Sequence, residues 1–181
     1  ANGNVGPDEY KKWLRTLPGD YPGKLHISDK GRGRVGVVEV AALIERNRPD
    51  IVFIDYLTLM AMAGQDWQAV QQLSGDLKNL AMSYDIPIVA AAQINRAGAG
   101  GKTNPGVENL AYSDSIGQDA DAVLTVQKYS RSVHRMSMAK YRHGRDGYVW
   151  WSKFKPDRGE FDEIDRNLAE KMKREDVEDD D

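Results

Sequence analysis

A chain of 181 residues with 40% hydrophobic content and a net charge of −3 fits one soluble globular domain. It contains no apolar run near the roughly 18 residues that a membrane-spanning helix needs, and it shows no signal peptide, so a cytoplasmic location is the default expectation. Zero cysteines exclude a disulfide scaffold and a Cys-based zinc site, and three scattered histidines argue against a His-rich metal site.

The small net charge hides an asymmetry. From Glu160 to Asp181 eleven acids face four bases, so the body of the chain is mildly basic. Within it, Lys128–Arg158 holds nine Lys and Arg against Asp146 and Asp157. That excess suits an anionic ligand such as nucleotide phosphate or nucleic acid, and it equally suits a solvated strand face.

In chain order, a helix is expected from Asp8 to about Leu17, started by Pro7 and Asp8 and stopped by Pro18-Gly19. Leu25–Ser28 reads as a short strand. The loop Asp29–Gly36 has spaced glycines but lacks the Gly-Lys-Ser/Thr ending that would put a lysine and a hydroxyl on phosphate and metal, so it is not a phosphate loop. Val37–Asn47 places Val37, Val40, Ala41 and Ile44 on one helical face, and Pro49-Asp50 delivers the chain into Ile51–Met60.

That stretch, Ile-Val-Phe-Ile-Asp-Tyr-Leu-Thr-Leu-Met, reads as a strand buried on both faces that runs out at Asp55. Ligands of open α/β sheets bind at that end of the strands, where a carboxylate can hold the water shell of a Mg²⁺ ion bridging nucleotide phosphates. By itself the pattern is more often an ordinary core strand with a polar cap. Trp67–Tyr84 repeats apolar residues at Val70, Leu73, Leu77, Leu80 and Ala81, a long amphipathic helix ending before Ile86-Pro87. Ile88–Ala92 is the next buried strand and ends in Gln93, followed by a Gly- and Ala-rich loop, Asn95–Asn109, that carries Arg96 and Lys102.

Three further strands are expected at Ala120–Gln127, Met136–Tyr141 and Tyr148–Phe154, the first two joined by a basic hairpin tip and the last two by His143–Gly147. The second half thus extends a mainly parallel sheet in antiparallel fashion. From Asp165 the chain is charged and poor in apolar residues, a short helix followed by a disordered acidic end. The expected organisation is one α/β domain over residues 1–164 and an acidic tail over 165–181.

Several stretches taken together resemble the RecA-like motor domain of DnaB-type replicative helicases of bacteria or phages. Ile54–Met60 resembles the Walker B strand of that family, and Leu77-Lys78-Asn79-Leu80-Ala81 the Leu-Lys-x-Leu-Ala of its next helix. Ile86–Arg96 is similar to its sensor strand with the Ser-Gln-Leu-x-Arg ending, and Ser115-Ile116-Gly117-Gln118-Asp119-Ala120-Asp121 to Ser-Ile-Glu-Gln-Asp-Ala-Asp. Ala139-Lys140-Tyr141-Arg142-His143-Gly144 resembles the Lys-x-Arg-x-Gly that bears the arginine finger. The resemblance spans roughly Val37–Phe161.

It implies a RecA-like P-loop NTPase core and an ATP-driven, ring-forming DNA helicase motor working 5′→3′. ATP and Mg²⁺ are the implied cofactors. Asp55 would hold Mg²⁺ through water, Gln93 would sense the γ-phosphate, and Lys140 and Arg142 would meet charge on the transferred phosphoryl group. Arg96, Lys102, Ser113 and Ser115 would contact single-stranded DNA. The implied partners are further copies in a hexameric ring, a primase and a helicase loader, with no membrane. Each residue also has a plainer reading: Gln93 as a strand cap, Lys140 and Arg142 as surface cations at a hairpin mouth, Arg96 and Lys102 as exposed loop cations.

The departures from the family pattern matter. No Gly-x-x-x-x-Gly-Lys-Ser/Thr occurs in the 181 residues, so the fold is expected to be incomplete at the N-terminus and the isolated chain inactive. Leu110-Ala111-Tyr112-Ser113 stands where the family has Leu-Arg-Glu-Ser, and Gly117 replaces a glutamate, which weakens the case for DNA contact at that loop. A RecA/RadA-like recombinase or clock-type ATPase sharing the core, and a non-catalytic half-domain that only assembles with partners, are the competing readings.

Overall fold

The structure is a computed structural model that describes residues 6–20, 23–29, 35–60, 67–93, 113–155 and 159–178. The chain divides into two units, one of residues 30–127 and 136–149 and the other of residues 1–29, 128–135 and 150–181.

The first unit begins with α2 (Val37–Asn47), which follows α1 (Pro7–Asp20) of the other unit. The Glu39 carboxylate accepts the Gly36 N–H at 2.9 Å, which satisfies a donor that the start of α2 leaves unpaired. Val40 and Ile44, one turn apart, are its buried residues. The helix closes on Arg48, whose left-handed backbone (φ 46°) lets its N–H reach the Ile44 carbonyl at 2.7 Å before Pro49 turns the chain away.

Then come β1 (Val52–Ile54), α3 (Leu57–Met60), α4 (Trp67–Tyr84) and β2 (Ile88–Ala90). β1 and β2 pair in parallel with Ile54 opposite Ala90. Parallel neighbours require a crossover, and α3 with α4 supplies it. The spacing of Val70, Leu73 and Leu77 puts all three on one side of α4, where they form the core with Leu57, Ile116 and Val123. Ile54, Ile88 and Ala90 pack against that cluster from the strands.

β1 and β2 are not buried on both faces as their uninterrupted apolar runs predict. Phe53 and Val89, paired in register, are 71% and 47% exposed. An all-apolar strand is the pattern of a sheet covered twice. Within this unit the packing that involves these strands lies on the side of Ile54, Ile88 and Ala90.

α5 (Ser113–Asp119) leads into β3 (Ala122–Lys128), β4 (Val133–Tyr141), β5 (Val149–Lys155) and β6 (Glu160–Ile164), which form a four-stranded sheet in that order. The hairpin bonds Tyr129 N–H to Val133 O, 2.9 Å, and Met138 N–H to Tyr148 O, 2.9 Å, set the antiparallel course of β3–β4 and β4–β5. β5 and β6 are antiparallel with Phe154 opposite Phe161. Parallel pairing is therefore confined, among the described residues, to β1–β2, and the antiparallel strands form a separate sheet instead of extending the parallel one.

In the second unit, Phe154 meets both His134 and Phe161 edge to face with ring centroids 5.8 Å apart. Lys153 pairs with Glu160 across β5–β6 at 3.1 Å. Beyond β6 runs α6 (Arg166–Glu178). Asp165 caps it, accepting the Leu168 N–H at 3.0 Å. Arg166–Glu170 and Lys171–Glu175 pair one turn apart along it, and Ala169 is wholly buried. The Arg131 N–H reaches Asp176 at 2.7 Å, and the Lys173 ammonium lies 4.3 Å from the Tyr129 ring centroid.

The short helix expected from about Asp165 is α6, and positions 179–181 of the acidic end expected after it lie outside the described residues. β6 was not expected: Glu160-Phe161-Asp162-Glu163-Ile164 is mostly charged, and the ladder with β5 is what makes it a strand. Conversely, Leu25–Ser28 is no strand. Its residues are unpaired in a ladder, and Leu25 and Ile27 are 85% and 82% exposed, because alternation alone does not make a strand without a neighbour to bond. α1 also runs through Pro18-Gly19 to Asp20, since a proline in a last turn removes only one late bond.

Candidate functional site

Asp55 stands immediately beyond β1 and Gln93 three residues beyond β2, so adjacent parallel strands carry both toward the same, carboxyl end of the small sheet. Backbone bonds continue the pairing there: Ala91 N–H to Ile54 O at 2.9 Å, then Leu57 N–H to Ala91 O at 3.0 Å. The second bond ties the start of α3 to the segment leading to Gln93. Both Asp55 and Gln93 are exposed, and the Asp55–Tyr56 peptide bond is cis.

Lys140 is the penultimate residue of β4 and Arg142 follows its end; Lys140 turns to the carboxyl end of α5, and Arg142 to that end and to Asp121 just before β3. Lys140 Nζ donates to the carbonyls of Gly117 at 2.7 Å and Gln118 at 3.0 Å, where the C-terminal turn of α5 exposes unpaired acceptors. Arg142 donates through Nε to Asp121 Oδ1 and through an Nη group to the Gln118 carbonyl, both at 3.0 Å. Its backbone N–H bonds the Asp121 carbonyl at 2.7 Å. Asp121 is reached from a third direction by Lys78 Nζ on α4. The hydrogen bond from Lys78, with the positive charges of Lys78 and Arg142, holds the Asp121 carboxyl below the usual carboxylate range, against a smaller opposing effect of burial. Gly144, two residues after Arg142, passes over the ring of Tyr141, and a Cβ there would overlap that ring.

The expected site residues fall into two described pairs, Asp55 with Gln93 and Lys140 with Arg142. Arg96 and Lys102 lie outside the described residues, as do positions 30–34 of the rejected phosphate loop. Ser113 and Ser115 belong to the backbone of α5, and their side chains are not among those described. Sequence reasoning missed the role of Lys78 and Asp121 as ion-pair partners. Both sat in stretches quoted for their resemblance, but 43 positions separate them, and only packing of α4 beside the entry to β3 joins them.

A Mg²⁺ ion is usually held by one or two carboxylates plus substrate phosphates and water, not by a dedicated protein cage. Asp55 alone at a strand end fits that mode, and among the described residues no group of three or more His, Cys, Asp or Glu converges on a common point. No helix among them is long and apolar enough to cross a membrane.

A replicative DNA helicase DnaB of Treponema pallidum is 32% identical over 135 residues, covering 71% of this chain and 30% of that protein. A probable plasmid replicative DNA helicase of Chlamydia trachomatis is 34% identical over 111 residues, covering 59% of this chain and 24% of its own length. The chain thus spans less than a third of these relatives. Among solved structures, a DnaB-like replicative helicase studied with its interactions with primase superposes with a TM-score of 0.69 at 24% identity, over 89% of this chain and 43% of that one. A KaiC-like protein from Pyrococcus horikoshii superposes with a TM-score of 0.56 at 11% identity, over 86% of this chain and 66% of that one. At such identities the likeness is one of fold, the RecA-like ATPase fold. The profile of the DnaB-like helicase C-terminal domain matches residues 2–163, and the chain belongs to that family.

Proposed function

We propose that these residues are the part of an ATP-driven, ring-forming replicative DNA helicase motor that carries the Walker B carboxylate, the sensor glutamine and the arginine finger. The observation that supports it best is the placement of Asp55 and Gln93 at the same end of two hydrogen-bonded parallel strands. In this reading Asp55 holds the water shell of the nucleotide's Mg²⁺, which neutralises charge on the phosphates when bound. Gln93 senses the phosphate end and passes its state to the loop that follows, where Arg96 and Lys102 contact single-stranded DNA together with Ser113 and Ser115. Lys140 and Arg142 act on a nucleotide held by the next subunit of a hexamer. Primase and a helicase loader are the proposed protein partners.

The 181 residues contain no Gly-x-x-x-x-Gly-Lys-Ser/Thr loop: their one Gly-Lys-Thr, Gly101–Thr103, has Arg96 where that motif needs its first glycine. Phosphate binding in this fold relies on the backbone N–H groups of such a loop at a helix N-terminus. By themselves these residues are therefore expected neither to bind Mg-ATP tightly nor to hydrolyse it. That feature also favours the second reading, a half-domain that assembles without turnover. The test uses the full ring-forming protein: Asp55→Asn and Arg142→Ala, each inactive alone, are mixed. Recovery of ATPase activity is expected, because some interfaces then combine an intact Asp55 with a neighbour's intact Arg142. No recovery at any ratio, with mixed rings verified, would remove Arg142 from the neighbour's site.

A further inference from the structure

Asp121 is where the stretches around Lys78, Gln118 and Arg142 meet. Its carboxylate accepts from Lys78 Nζ on α4 and from Arg142 Nε at 3.0 Å, while its own carbonyl accepts the Arg142 N–H at 2.7 Å. The Gln118 carbonyl takes a further Arg142 donor at 3.0 Å. Arg142 is thus held at its backbone and at two points of its guanidinium.

A guanidinium is a rigid planar fork, so two bonds to it fix its plane as well as its position. Without them, a long side chain just past the end of β4, about half exposed, would spread over many rotamers. Lys78 adds a link to α4, whose Leu73 and Leu77 pack in the core that Ile54 and Ala90 join from β1 and β2. The clamp therefore stands on the same rigid elements that carry Asp55 and Gln93.

We propose that Asp121 is a positioning residue that pre-sets the guanidinium of Arg142 for its work at the subunit junction. The inference rests on the reading of Arg142 as a catalytic cation. The plainer alternative is that Asp121 makes two surface ion pairs of small structural value. The two differ in what they do to kinetics.

In the full ring-forming protein, ATPase kcat and KM are compared for Arg142→Ala, Asp121→Asn and the double variant, with ring assembly followed by size. Loss of an arginine finger is expected to lower kcat by about a thousandfold or more. Loss of a residue that orients a catalytic group is expected to lower kcat roughly ten- to a hundredfold, with KM for ATP within about twofold. The double variant should be no worse than Arg142→Ala, because the two residues act as a unit. If Arg142→Ala leaves kcat unchanged, the reading of Arg142 fails and this inference falls with it. A large loss for Arg142→Ala beside a wild-type kcat for Asp121→Asn would overturn the Asp121 role alone, and so would losses that multiply in the double variant. Should Asp121→Asn prove insoluble, Asp121→Glu keeps the charge one methylene further out and is judged by the same two comparisons, with a partial loss of kcat expected.

Discussion

Asp55→Asn separates a chemical from a structural role for this carboxylate. Asp55 is exposed just past β1, and the bonds that hold this strand end are made by the backbone atoms of Ile54, Leu57 and Ala91. Removing the charge deletes neither core volume nor a ladder bond, so the change should stay within about 0.5 kcal/mol, as for surface substitutions. In a domain of this size that corresponds to a shift of about 1–2 °C in Tm. Leu77→Ala provides the scale for real damage, because Leu77 is buried in the core against Leu73 and Val70. It should cost about 2–5 kcal/mol through lost burial and the cavity left behind. Activity should order the other way: Asp55→Asn should lower ATPase activity at least about a hundredfold, the scale seen when a preorganised electrostatic partner of the reaction is lost. Thermal unfolding followed by circular dichroism, paired with ATPase turnover of the ring-forming protein, reads both. A fall in Tm for Asp55→Asn comparable to that of Leu77→Ala would make it a structural cap, and undiminished turnover would take it out of the metal's shell.

Gln93→Ala should lower basal ATPase activity modestly and abolish its stimulation by single-stranded DNA; stimulation of wild-type size would leave Gln93 an ordinary strand end. His134 is half-buried against Phe154, and burial first, then the charge of Lys128, hold its imidazole below the usual histidine range. The folded state therefore prefers the neutral ring, and the resulting stability is present above a pH of about 6.5 and lost as pH falls through the folded-state value. Replacing His134 with Gln should flatten the decline of Tm between about pH 7 and pH 5 relative to the wild type, where that preference acts. Parallel curves for the two proteins would refute it.

What periodicity dictates locally was legible from the residues. Val37–Asn47 and Trp67–Tyr84 are helices with the expected bounds, because an apolar face repeating every three to four residues and a stop signal after it are properties of the stretch itself. The places of β1 to β5 along the chain were legible for the same reason, as was Asp55 just past β1. Where the expectations missed, an element's state depended on a partner distant in the chain. Leu25–Ser28 has strand-like alternation but no ladder, whereas the mostly charged Glu160–Ile164 forms one with β5. The helix expected after Asp165 does form, and pairs such as Arg166–Glu170 and the contact of Asp176 with Arg131 hold it.

The candidate site divides along the same line. Residue type and position relative to a strand end pointed to Asp55, Gln93, Lys140 and Arg142. That Lys140 and Arg142 spend donors on the α5 carboxyl end, and that Asp121 draws in both Lys78 and Arg142, was decided only by tertiary structure. A hydrogen bond depends on angles and on tenths of an ångström, and the packing of α4 against α5 and β3 sets those distances, not the spacing of residues along the chain.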